Sequence, residues 1–69
     1  MKKYIIAPER DRFSEVSASN AEMAYRGVCC WYNPGRRVAV IDAETMETVI
    51  FTRTLDENGN LSEVRRWKA

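Results

Sequence analysis

One helical stripe with a defined start and stop constrains this chain more than any other feature. Ser19-Asn20-Ala21-Glu22 has the form of a capping box, in which Ser19 accepts from the N3 amide and Glu22 reaches back to the Ser19 amide. Ala21, Ala24, Tyr25, Val28 and Tyr32 then recur at i, i+3, i+4, i+7 and i+11, a continuous apolar face. Met23, Arg26 and Cys30 fall opposite, with Cys29 and Trp31 on the flanks. Gly27 lies off the stripe and weakens the helix by about 1 kcal/mol relative to alanine. Asn33-Pro34-Gly35 ends it, because proline cannot continue a helix and disfavours the helical conformation at Asn33. The spacing predicts one helix over residues 19–32.

The flanking segments alternate with a period of two. Lys3 to Ala7 reads as a strand that Pro8 ends or bends. Phe13 to Ala18 reads as a second, with Ser14, Val16 and Ala18 on one face; the two form either a hairpin or one long bulged strand. Arg36 to Asp42 places Val38 and Val40 on one face and Arg37, Ala39 and Ile41 on the other. A turn over residues 42–47 follows, with Met46 where glycine is common. Thr48 to Leu55 would turn Val49, Phe51 and Leu55 inward and Thr48, Ile50, Thr52 and Thr54 outward. Asp56-Glu57-Asn58-Gly59-Asn60 is a hairpin signal, with Gly59 able to supply the left-handed residue. Residues 61–67 read as the returning strand in preference to a short helix capped by Asn60.

Together these segments predict a single small α+β domain over residues 1–69. It has two layers: an antiparallel sheet of three to five strands, with one helix on one face, in the core order β-α-β-β with a further strand at the end. The β-α-β-β order over residues 16–55 resembles that of several small α+β families, one ribosomal-protein domain among them. The likeness rests on periodicity and brings no function with it.

Composition narrows the function classes. The chain is 45% hydrophobic and 30% charged, values that suit a folded domain. No apolar run approaches the roughly 20 residues of a membrane span, and the apolar stretch after Lys2-Lys3 is too short for a signal peptide. With adjacent cysteines and no export signal, the expected location is the cytoplasm. So short a chain buries little of its surface, and a partner chain is the first stabiliser to look for.

Few residues suit chemistry. There is no histidine, so no serine has the usual base and the cysteines lack an ordinary zinc set. Cys29 and Cys30 lack the spacer of redox pairs; the expectation is Cys29 at the core edge and Cys30 incidental. Asp42, Glu44 and Glu47 share one turn and read as solvated turn residues, although paired acids can serve acid–base work or bind a hard cation. The expectation is therefore a non-enzymatic protein with no cofactor, no metal and no membrane.

Two surfaces remain. Ala39, Ile41, Ile50 and Thr52 would make a semi-apolar outer sheet face, suited to a protein partner or a second copy. Arg37, Arg53, Arg65, Arg66 and Trp67 would offer cations and an aromatic ring to single-stranded nucleic acid. The net charge of only +1 ranks nucleic acid second.

Overall fold

A computed structural model describes residues 1–68. In chain order it contains β1 (Lys2–Pro8), β2 (Ser14–Ala18), α1 (Ala21–Val28), a 3-10 turn (Cys29–Trp31), β3 (Val38–Asp42), β4 (Thr48–Leu55) and β5 (Leu61–Lys68). The strands make one sheet in the order β2-β1-β3-β4-β5, and every neighbouring pair is antiparallel. The expected α+β architecture is thus present with five strands. The first two segments form the hairpin rather than one bulged strand, and residues 61–68 are a strand rather than a helix.

Alternation decides which side of each strand meets the helix. Tyr4 and Ile6 of β1, Ala18 of β2, Val38 and Val40 of β3 and Phe51 of β4 are buried in one cluster with Ala24, Tyr25, Val28, Cys29 and Tyr32. The Tyr25 ring lies nearly parallel to that of Phe51, with centroids 5.0 Å apart and planes 10° from parallel. Offset aromatic pairs of this kind add to the area they bury. β1 occupies an interior place in the sheet, and its apolar run supplies Tyr4 and Ile6 to one face and Ile5 and Ala7 to the other, as a strand with neighbours on both edges can.

The helix begins one residue later than the capping box implies. Asn20, with extended backbone, is the cap, and its Oδ1 accepts from the Met23 amide at 2.9 Å. Asparagine caps at least as well as serine. The shift moves Glu22 to the second helical position, where it meets Arg26 one turn on at 3.1 Å. The helix also ends sooner than expected. Val28 leaves the helical region, and Cys29–Trp31 tighten into a 3-10 turn before Pro34.

The second difference is Leu55, expected in the core and found 39% exposed. An eight-residue helix is about 12 Å long, whereas an eight-residue strand runs about 27 Å. The β4–β5 hairpin therefore projects beyond the layer that would cover it. A bulge between Thr54 and Leu55 then leaves Leu55 opposite Leu61, also exposed.

The turns are built from aspartates. Asp42 Oδ1 accepts from the Glu44 and Thr45 amides at 2.9 and 3.3 Å, and Met46 closes that turn at φ +66°. Asp56 Oδ1 does the same for the Asn58 and Asn60 amides, with Gly59 at φ +82°. Methionine thus occupies the left-handed position in the first turn that glycine occupies in the second.

Candidate functional site

Among the described residues, α1 and its 3-10 extension are the only layer on the sheet, so the opposite sheet face has no cover. Register brings Ile5 beside Ile41, Ala7 beside Ala39, and Ala39 beside Ile50. Trp67 sits opposite Ile50 on β5. Ile5, Ala7, Ala39, Ile41 and Ile50 are each half-buried, shielded only by their neighbours in the sheet. All four residues predicted for the interaction face lie on this side. Thr52 differs from expectation in its accessibility: it is 8% exposed, set opposite Arg65 at the β5 side. Ile5 and Ala7 belong to the same surface. Their signal was the unbroken apolar run of β1, which supplies two faces at once.

Polar groups frame the apolar centre. Lys3 and Glu15 pair at 3.6 Å at one margin. At the other, the Arg37 guanidinium stands 5.4 Å from the centre of the Trp67 ring, a cation–π distance. Ala7, Glu9, Arg37, Ala39 and Ile50 line a shallow depression of about 290 Å³. The surface is thus apolar in the middle and charged at the rim.

Of the five residues predicted for a nucleic-acid face, three share one side of the sheet and two do not. Successive residues of a strand point to opposite sides, so Arg65 and Trp67 share the open face with Arg37, while Arg66, opposite Phe51, belongs to the helix side. Arg53 also lies on the helix side, committed to the protein itself. Its Nε donates to the Cys29 carbonyl at 2.9 Å and an Nη to the Tyr32 carbonyl at 2.6 Å. The Cys29 carbonyl also accepts from the Tyr32 amide at 3.2 Å, and carbonyls at the end of a helical segment suit a guanidinium. The alternation that puts Val49 and Phe51 inward also puts Arg53 inward, which is the signal that it serves the fold.

Comparison of the chain with protein-family models, curated proteins and solved structures found no match in any of the three.

Asp42 is buried against Lys2, with Nζ–Oδ2 at 2.5 Å. The Lys2 hydrogen bond, helped by the Glu44 and Thr45 amides, holds the Asp42 carboxyl below its usual range, and the same bond raises the Lys2 amine. This carboxylate organises a turn rather than standing solvated in it. Cys29 is buried, its thiol donating to the Arg26 carbonyl at 3.5 Å, and Cys30 is exposed. Among the described residues no three His, Cys, Asp or Glu side chains gather as a metal site would require. Among the described residues no helix is long and apolar enough to cross a membrane.

Proposed function

We propose that this protein is a small non-enzymatic interaction module that binds a protein partner, or a second copy of itself, through the uncovered sheet face. The observation that carries this is the apolar centre of that face. Ile5, Ala7, Ala39, Ile41 and Ile50 are contiguous across three strands, with none of the described residues layered on them. Contiguous apolar surface rimmed by polar residues is a form that docking sites take. The free thiols of Cys29 and Cys30 suit a reducing compartment such as the cytoplasm.

A photo-crosslinking residue at Ala39 tests the reading. In cells it should give one defined protein adduct with the parent, and none when Ile41→Lys and Ile50→Lys are added. Both lysines point away from the core, so circular dichroism should be unchanged. An adduct that persists in the lysine variant would show that the apolar centre does not make the contact.

A second reading follows from Arg37 over Trp67, with Arg65 on the same face: a short single-stranded nucleic acid could stack on the indole. Three groups give a small electrostatic footprint, and Arg53 and Arg66 are turned elsewhere. Binding at physiological salt should therefore be weak, with Trp67 fluorescence unchanged by single-stranded DNA or RNA. Quenching abolished by Arg37→Ala with Arg65→Ala would favour nucleic acid.

A further inference from the structure

The sheet has two edges, and they differ. β2 is five residues long, whereas β5 presents eight residues, Leu61 to Lys68, without proline or glycine. An open edge is a row of unpaired amides and carbonyls, a template for another strand. The direction of those groups on β5 follows from one bond. The Gly35 amide donates to the Arg53 carbonyl at 2.9 Å, so Arg53 turns its backbone groups away from β5. In an antiparallel ladder both members of such a pair turn outward. Val64, opposite Arg53, therefore directs its N–H and C=O to the free edge.

Two copies of β5 meeting antiparallel are related by a two-fold axis perpendicular to the sheet, which keeps like faces together. One residue must then sit opposite its own copy. Centring on Glu63 sets Glu63 against itself, and centring on Arg65 or Arg66 sets arginine against arginine. Like charges directly opposite are destabilising. Centring on Val64 avoids this. Val64 faces the partner's Val64 in a hydrogen-bonded pair, and Glu63 faces the partner's Arg65 on the open side. Arg65 faces the partner's Glu63 in return, and Ser62 faces the partner's Arg66. An edge carrying Arg65, Arg66 and Lys68 discourages neutral or basic strands, and Glu63 is what makes it complementary to itself.

We infer that the β5 edge is a homodimer interface, joining two copies about Val64 into one ten-stranded sheet with a single continuous open face. The inference concerns the edge and stands apart from what docks on the face. Each β5 edge is consumed by its copy, so the assembly closes at two chains.

Sedimentation of the full chain over a concentration series tests it. The parent should dimerise. Glu63→Arg and Arg65→Glu should each raise the dissociation constant roughly tenfold or more, since two attractive pairs become repulsive. Combining them should restore the dimer, because the charges are exchanged and the register is kept. Val64→Pro is an independent arm: the amide it removes faces the free edge, so the dimer should be lost while circular dichroism persists. Four results would overturn the proposal: a monomeric parent at its highest soluble concentration, a dimer indifferent to both single charge changes, a dimer that survives Val64→Pro, or one lost in Ile41→Lys/Ile50→Lys but kept in Glu63→Arg.

Discussion

The Tyr25 ring lies flat on Phe51, 5.0 Å between centroids, and this contact ties the helix to β4 across the middle of the core. Both side chains are almost wholly buried. Phe51→Ala should remove about 3–5 kcal/mol through lost transfer energy and the cavity left behind. A domain of this size holds on the order of 3–10 kcal/mol in all, so the variant should be largely unfolded in a urea titration. A cooperative transition within about 1 kcal/mol of the parent would show that the stack is not central.

Arg53 closes the end of the helical segment. Arg53→Met keeps the apolar stem but leaves the Tyr32 carbonyl without its donor and the Cys29 carbonyl with only the Tyr32 amide. The expected loss is about 2–3 kcal/mol, since bonds to charged groups exceed neutral ones. Arg53→Lys should recover only part of it, because one ammonium lacks the fork that reaches both oxygens. Equal denaturation midpoints for parent and methionine variant would refute the role.

The two turn positions give a reciprocal pair. Met46 is 64% exposed and left-handed at φ +66°, so Met46→Gly relieves backbone strain without removing packing. Gly59→Ala imposes the same strain at φ +82°. The first should stabilise by up to about 1 kcal/mol and the second destabilise by about 1–2 kcal/mol. Thermal melts of the two variants should therefore move in opposite directions from the parent.

Stability should fall at both ends of the pH scale. The folded Asp42 carboxyl is held below its unfolded value by the Lys2 hydrogen bond. Its contribution is complete above the ordinary aspartate range and is lost as pH falls through the lowered value. Asp42→Asn should flatten this acid limb. Burial pushes the Tyr25 hydroxyl up from 10.0 to about 12, so the fold favours its neutral form. That contribution is present below pH 10.0 and is lost as pH rises toward about 12, where tyrosinate absorbance should follow unfolding. An alkaline limb unchanged in Tyr25→Phe would assign it elsewhere.

Much of the fold was legible because alternation and helical spacing are local. Val38, Val40 and Phe51 declare their side through their neighbours, and Gly59 declares its turn. The misplacements have physical causes. Ser19 and Asn20 are both good caps, and only the backbone decides between them. Leu55 has the parity of a core residue, but helix length determines whether anything covers it. Arg65 and Arg66 look like one cluster in a string of letters, yet a strand sends adjacent side chains to opposite faces. Asp42 reads as a solvated turn acid because its partner, Lys2, lies at the other end of a long sequence separation.

The placement of β1 between β2 and β3 also orders the assembly of the chain in time. Three of the four strand pairings are hairpins between consecutive strands, while β1 meets β3 through pairs as distant as Tyr4 and Asp42. Loop closure must precede any contact along that seam, so it should form last and set the folding rate. Ile6→Val and Val40→Ala, on either side of the seam, should mainly hasten unfolding if their contacts form after the barrier, and mainly slow refolding if closing the seam is the barrier. Stopped-flow refolding that slows in both variants would locate the barrier at the one place where the N-terminal hairpin and the C-terminal three strands join into a single sheet.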